Sequence, residues 1–102
     1  MYNYLVEFIG TTLLIYVIVA TNNPLAIGLM YAFILLLTHE VTTGYFNPAV
    51  AIMMAATDKM QIGELLPICL AQIFGGLIAY EIFKRTQVAE PGFFGSLFSG
   101  WR

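Results

Sequence analysis

The sequence predicts an all-α membrane protein with three transmembrane helices and one re-entrant half-helix. Of its 102 residues, 60% are hydrophobic and only 10% are charged, and the mean hydropathy is +0.83. A soluble domain of this length needs a more polar surface, so we expect the apolar residues to be buried against lipid or other polypeptides. In addition, the pair Asn47-Pro48 lies between long apolar stretches and has the residues of a helix start.

The first two helices are predicted from apolar runs that are separated by a turn. The run over about 4–20 is 17 residues long, which is the lower limit for crossing a hydrocarbon core of about 30 Å. Thr21-Asn22-Asn23-Pro24 is a turn signal, and Pro24 then begins a second helix over about 24–40. This second run is short for a span, so we expect little tilt or a locally thin bilayer.

The re-entrant half-helix is predicted over about 47–57. Asn47 is a favourable N-cap, Pro48 suits the first helical position, and the apolar residues 49–56 add about two turns. Such a helix is too short to span a bilayer and too apolar for an exposed loop. We expect extended backbone over 41–46, which is tolerated at membrane depth only where protein buries it or it lines a water-filled cavity.

A third spanning helix is predicted over about 62–84, with Pro67 early enough to be accommodated and Lys84-Arg85 at its far end. The chain thus divides into a helical region, 1–85, and an aromatic-rich tail, 86–102. We expect this tail to lie on the membrane surface or against a partner.

Charge and side-chain chemistry argue against several classes of function. Four basic and six acidic residues give a net charge of −2, which provides no basic surface for nucleic acid. The single cysteine, Cys69, excludes an intrachain disulfide and favours a packing role. The neighbours His39 and Glu40 point in different directions on a helix, so they form no ready catalytic pair or metal site. We therefore expect no enzyme and no cofactor.

Four segments, taken together, resemble one family. They are Glu7–Thr11 in the first helix, Ala26–Leu29 in the second, Thr43–Val50 in the loop and Ala71–Gly76 in the third helix. Their order and spacing resemble the N-terminal half of an aquaporin, of the major intrinsic protein family, over roughly residues 1–83. The resemblance implies half of an aquaporin-like fold with one Asn-Pro-Ala motif, Asn47-Pro48-Ala49.

The resemblance also implies the residues of a pore. The amide of Asn47 would donate to passing water while the dipole of the half-helix opposes cations. Ile27 would contribute to the narrow constriction, where an isoleucine is more apolar than an aromatic residue and makes strict water selectivity doubtful. The carbonyl groups that would line the pore wall are those of Gly44, Tyr45 and Phe46.

Two polar residues of the helices are implied to brace the loop. Glu7 would accept hydrogen bonds from the loop backbone, although a residue snorkelling to the interface is the simpler alternative. Gln72 would be a second brace, with an ordinary interhelical hydrogen bond as the alternative. Four glycines are expected to permit close helix approach only, namely Gly10, Gly28, Gly75 and Gly76.

The family's pore is built from two inverted repeats, whereas this sequence contains one. Val50 stands where an arginine follows the family's second motif, so a pore of two copies would reject cations by helix dipoles alone. Lys59 lies on one predicted side of the membrane and Lys84, Arg85 and Arg102 on the other. This small difference leaves inverted or mixed insertion open, which an antiparallel homodimer requires.

Three functional hypotheses remain open at this point. The chain is a half-channel for water or small neutral solutes, a non-conducting structural subunit of a larger membrane assembly, or an unrelated membrane anchor with a chance motif. In the first two hypotheses it is a multi-pass integral membrane protein. Its partners would then be the lipid bilayer and either an inverted copy of itself or another membrane polypeptide.

Overall fold

The computed structural model describes residues 2–88, and every regular element in that range is helical. The prediction of an all-α fold is therefore confirmed, whereas the predicted tail lies outside the described residues from position 89 onward. The elements are α1 (Tyr2–Thr21), α2 (Pro24–Thr38), α3 (Pro48–Ala56), a 3-10 turn (Ile62–Glu64) and α4 (Leu65–Val88).

The same device begins α2 and α3. Asn23 precedes Pro24, and its side-chain oxygen accepts a hydrogen bond of 2.9 Å from the amide of Ala26. Asn47 precedes α3, and its Oδ1 accepts a bond of 2.9 Å from the amide of Ala49. An asparagine oxygen in this position satisfies an amide that has no partner within the helix, and proline has no such amide to satisfy. Local sequence alone therefore fixes where both helices begin.

α1 is the central helix, with α2 packed on one side and α4 on the other, while α3 packs on α4. α1 and α4 run in the same direction. Near the starts of the two helices, the side-chain amide of Asn3 donates to the carboxylate of Glu64 over 2.7 Å. Near their ends, the hydroxyl of Tyr16 lies 3.3 Å from the hydroxyl of Thr86. These two bonds fix the register of the helix pair.

Gly75 is the point of close approach between α4 and α1. A Cβ atom at this position would lie 2.7 Å from the carbonyl oxygen of Phe8 and 3.1 Å from Cβ of Thr11. The carbonyl of Gly75 also accepts a bond of 3.2 Å from the hydroxyl of Thr12. Because the nearest atom belongs to backbone, a larger residue here would push the two helices apart.

The two ends of the stretch 40–62, which contains the loop and α3, lie close together. Residues 40–43 at one end and 58–62 at the other line one open depression, together with Asn3 and Glu64 near the starts of α1 and α4. In the middle of this stretch, the ring of Phe46 contacts Gly10, which lies about two turns beyond Asn3 along α1. α3 thus follows directly on the buried Phe46 and ends at the depression, which Ala55 helps to line.

Two helices are long and apolar enough to cross a membrane, judged by length and composition. They comprise Asn3–Thr21, with a mean hydropathy of 1.9, and Ile62–Thr86, with a mean hydropathy of 1.8. Pro24–Thr38 is apolar but has only 15 residues. At 1.5 Å per residue it rises about 22 Å, which is less than the hydrocarbon thickness of about 30 Å.

The two adjacent glycines of α4 provide a matched test of this packing. We expect Gly75→Ala to lower the free energy of unfolding by about 1–3 kcal/mol, because its methyl group would displace the backbone of α1. Gly76→Ala meets nothing within 4 Å, so it should be neutral or stabilise the helix by up to about 1 kcal/mol. Thermal unfolding in detergent micelles, followed by circular dichroism, measures both. Equal effects of the two substitutions would contradict the described α1–α4 contact.

Candidate functional site

Glu7 is a fully buried carboxylate that connects three parts of the chain. Its Oε1 accepts bonds from the amide of Phe46 at 2.9 Å and from Nε2 of Gln72 at 2.8 Å. Its Oε2 accepts a bond from the hydroxyl of Thr42. All three partners can donate a hydrogen bond, so the two oxygens of Glu7 can accept from each of them. Glu7 therefore ties the loop to both α1 and α4.

The loop contains two consecutive residues in the left-handed conformation. The φ angles of Tyr45 and Phe46 are 53° and 63°. The prediction of extended backbone over 41–46 is therefore wrong at these two positions. A left-handed conformation costs a side-chain-bearing residue about 1–2 kcal/mol, so contacts elsewhere must hold it. Two hydrogen bonds do so: Glu7 accepts from the amide of Phe46, and the hydroxyl of Tyr31 donates to the carbonyl of Tyr45 over 2.6 Å.

The ring of Phe46 anchors the turn in the core. It is 4% exposed and packs with Leu14 of α1 and Ile34 of α2. Gly10 provides the space, because a Cβ atom there would lie 2.2 Å from the ring. Gly10 thus accommodates a loop side chain instead of a neighbouring helix. Gly28 and Gly76 have nothing within 4 Å of a Cβ position, so in this chain alone they permit no close approach.

Gly44 lies at the bottom of the loop, where no side chain fits. A Cβ atom there would lie 2.8 Å from both Oε2 of Glu7 and a methyl carbon of Ile68. Its carbonyl accepts bonds from the amide of Asn47 at 3.3 Å and from Nε2 of Gln72 at 3.4 Å. Gly44 therefore lets the loop approach the carboxylate, and its carbonyl already has two internal donors.

The three carbonyls that the sequence analysis assigned to a pore wall differ in their partners. That of Gly44 has two donors, as described, and that of Tyr45 has one, the hydroxyl of Tyr31. The carbonyl of Phe46 accepts no hydrogen bond from residues 2–88. A carbonyl oxygen has two lone pairs. The number of lone pairs without an internal donor therefore increases from Gly44 to Phe46, but Gly44 and Phe46 are buried and only Tyr45 is partly exposed.

Asn47 presents donors at the positive end of α3. Its Oδ1 is bonded to the amide of Ala49, which leaves the two N–H groups of Nδ2 without an acceptor among the described residues. Asn47, Pro48 and Ala49 are all exposed. The unpaired amides of a helix N-terminus carry a partial positive charge. The arrangement can donate to an uncharged oxygen and repels a cation.

The remaining sequence-assigned residues lie apart from this loop or at its edge. Ile27 is partly buried and packs against the core cluster of Leu14, Ile34 and Phe46. His39 and Glu40 are exposed after the end of α2. No group of three or more metal-ligating side chains occurs among the described residues.

Two residues of the site were absent from the sequence analysis, namely Thr42 and Tyr31. Thr42 is buried and donates to Glu7, and it also lies 3.4 Å from the amide of Gly44. Tyr31 stands in an otherwise apolar stretch of α2, and its hydroxyl needs a partner when the ring is packed. The need of this hydroxyl for a partner could have identified Tyr31 from the sequence. Thr42 gave a weaker indication, namely a hydroxyl two residues before Gly44.

The carboxylate of Glu7 gives a direct test of the loop. We expect Glu7→Gln to destabilise the chain by roughly 1–2 kcal/mol, because an amide donor would replace the oxygen that accepts from Thr42, whose hydroxyl would then have to turn and accept instead. The backbone amide of Phe46 should exchange its hydrogen faster. Glu81→Gln, on an exposed part of α4 beside Lys84, should change stability by less than about 0.5 kcal/mol.

Unfolding in detergent and hydrogen exchange resolved by mass spectrometry measure these effects. If Glu7→Gln left both the stability and the exchange of the 42–47 segment unchanged, the carboxylate would not be holding the loop.

Comparison with curated proteins identifies relatives of one kind. The chain is 31% identical over 93 residues to "Glycerol uptake facilitator protein-like 6" of Lactiplantibacillus plantarum, which covers 82% of this chain and 43% of that protein. It is 31% identical over 97 residues to "Aquaporin-8" of Mus musculus, covering 84% and 37%, respectively. It is 30% identical over 69 residues to "Aquaporin Z" of Bradyrhizobium diazoefficiens, covering 68% and 29%.

No protein-family model matches the chain. No solved structure matches it either. The chain spans less than half the length of the curated relatives that it matches. The predicted resemblance to the aquaporin family is therefore confirmed, over a length that corresponds to part of each of these relatives.

Proposed function

We propose that the chain is an aquaporin-like half-channel, a multi-pass membrane protein that passes water or small neutral solutes when it is paired with a second, inverted half. The observation that carries the proposal is the geometry of Asn47. Its oxygen caps α3, its two N–H groups are without an acceptor among residues 2–88, and it is exposed at the positive end of the helix. This combination suits a site that orients an uncharged oxygen.

The exposure of the apolar helices supports a membrane location. Of the most apolar 18 residues in Asn3–Thr21, only 33% are buried within the chain, and the corresponding share in Ile62–Thr86 is 22%. A core helix of a soluble protein is mostly buried, and large exposed apolar surfaces are rare in soluble monomers. α2 would be the third span and requires a thin bilayer or neighbouring protein at its ends. Its most exposed large side chains are Leu25, Leu36 and Leu37.

The names of the relatives support transport of water or a small neutral solute. Two of them are named aquaporins and one is named a glycerol uptake facilitator protein-like protein. None of the three names denotes an enzyme, which agrees with the absence of a catalytic pair in the sequence. The isoleucine at position 27 favours a solute range that is wider than water alone.

The free face of α3 supports pairing with a second half. Ala51 is fully buried against α4, whereas Ile52 and Met53 are 52% and 59% exposed. Asn47 lies at the start of this exposed region. An inverted partner would cover the face and bring a second half-helix end toward Asn47. The partner is either a second copy of this chain or another membrane polypeptide.

One observation favours the alternative, a non-conducting structural subunit. The carbonyls of Gly44 and Tyr45 already have internal donors, which reduces the polar wall available to a solute. In this alternative, the loop would serve only to hold α3 against α4, and the exposed faces would contact other subunits.

Two asparagines with the same local role separate these functions. We expect Asn47→Asp to lower osmotic water permeability of liposomes that contain the chain, because an aspartate still caps the helix but has no N–H to donate. Asn23→Asp makes the same change at the start of α2, away from the loop, and should leave the permeability unchanged. Stopped-flow light scattering after an osmotic step measures the rates.

Wild-type rates should exceed those of empty liposomes. Rates equal to those of empty liposomes, with insertion of the protein demonstrated, would contradict conduction by this chain and favour the structural alternative. Equal losses in the two variants would show that Asn47 has no special role.

A cysteine at position 49 tests the identity of the partner. In an inverted pair related by a two-fold axis near the starts of α3, Ala49 of one copy approaches Ala49 of the other. With Cys69→Ala as background, Ala49→Cys should therefore give a covalent dimer with a short bifunctional maleimide. Leu66→Cys, on α4 at a position that is 68% exposed, is the control and should give little dimer. A yield no higher at position 49 would indicate a different polypeptide as partner.

A further inference from the structure

We propose that Tyr31 determines the solute preference of the loop by occupying the carbonyl of Tyr45, an inference that rests on the proposed function. Tyr31 would be a positioning residue that favours water over solutes with several hydroxyl groups. Nothing in the motif itself identifies this residue, because it lies on α2 and reaches the loop only through the fold.

The hydrogen bond between Tyr31 and Tyr45 is short, and the packing of the Tyr31 ring holds its donor in place. The hydroxyl of Tyr31 lies 2.6 Å from the carbonyl oxygen of Tyr45. The ring of Tyr31 is packed against the core cluster of Leu14, Ile34 and Phe46. α2 therefore delivers the hydroxyl to a fixed point, where it holds a carbonyl whose own residue is in the left-handed conformation, at a φ of 53°.

The contact changes the number of acceptors that the loop can offer. Each carbonyl oxygen has two lone pairs. Gly44 has two internal donors and Tyr45 has one, while Phe46 has none from residues 2–88. Without the hydroxyl of Tyr31, both lone pairs of the Tyr45 carbonyl would be available to a solute, whereas with it one remains. The phenolic oxygen of Tyr31 is a weaker acceptor than an amide carbonyl, so it does not replace the lone pair that it occupies. Of the three residues, only Tyr45 is partly exposed, because Gly44 and Phe46 are buried.

The number of adjacent acceptors affects solutes differently. A water molecule exchanges its hydrogen bonds one site at a time. One strong acceptor next to the amide donors of Asn47 is therefore sufficient for a water molecule to pass. A polyol has several hydroxyl donors that are spaced along one molecule, and each loses water when it enters a narrow pore. A donor that is left without an acceptor costs free energy. Partial occupation of the Tyr45 carbonyl therefore disfavours polyols more than water.

Tyr31→Phe tests the inference, since it keeps the packed ring and removes only the hydroxyl. We expect the ratio of glycerol to water permeability in liposomes to rise roughly two- to tenfold, the worth of about one neutral hydrogen bond. Tyr16→Phe is the matched control, because the Tyr16 hydroxyl contacts Thr86 on an exposed surface far from the loop. It should leave the ratio unchanged.

The ratio separates a selectivity role from a purely structural one. If Tyr31 only held the loop in place, its removal would lower both permeabilities by a similar factor. An unchanged ratio, with or without such a common loss, would therefore overturn the inference.

The carbonyl itself provides a second, independent measurement. With a ¹³C=¹⁸O label at the Tyr45 carbonyl, the amide I frequency should rise in Tyr31→Phe because a hydrogen bond is lost. It should not change in Tyr16→Phe. An unchanged frequency in Tyr31→Phe would overturn the contact on which the inference depends.

The two measurements also distinguish failure of the inference from failure of the proposed function. If the wild-type chain did not conduct, the half-channel proposal and the solute preference would both be overturned, while the frequency would still show whether Tyr31 occupies the carbonyl. If the wild type conducted and the ratio did not change, only the inference would be overturned.

Discussion

The hydrogen bonds to the Glu7 carboxylate hold the whole loop arrangement. A carboxyl group that is fully buried among apolar helices is unfavourable unless hydrogen-bond partners surround it. Here the donors come from the loop, through Thr42 and the amide of Phe46, and from α4, through Gln72. The same bonds stabilise a turn whose two left-handed residues would not persist by themselves. The cost of burying the carboxyl group and the cost of the turn are therefore offset by one set of contacts.

This arrangement determines what α3 can present. Because the turn is fixed, the chain leaves it in one direction and Asn47 can cap α3 with its oxygen alone. The cap uses the side-chain oxygen of Asn47 for the fold and leaves its two N–H groups without an acceptor among residues 2–88. The Asn-Pro start of α2 has the same local geometry, so the donor role that we propose for Asn47 depends on its position beside the loop and not on the cap alone.

The sequence predicted those features that depend on neighbouring residues. Asn23-Pro24 and Asn47-Pro48 determine helix starts through contacts within three residues, and the apolar runs predict α1 and α4. The resemblance to aquaporins directed attention to Glu7 and Gln72, which the structure places against the loop. The left-handed turn was not predictable, because Tyr45 and Phe46 lack any local preference for it. Its cause is tertiary, as are the roles of Thr42 and Tyr31.

The wide separation of the Glu7 partners along the chain has a consequence for biosynthesis. Thr42 and Phe46 follow Glu7 by 35 and 39 residues, but Gln72 follows it by 65. During synthesis, α1 therefore leaves the ribosome well before the last donor to its carboxylate exists. The full set of hydrogen bonds between the loop, Glu7 and Gln72 can form only after α4 has been inserted beside α1. Formation of this complete set of bonds is thus a late event, and it requires that all the helices are in place.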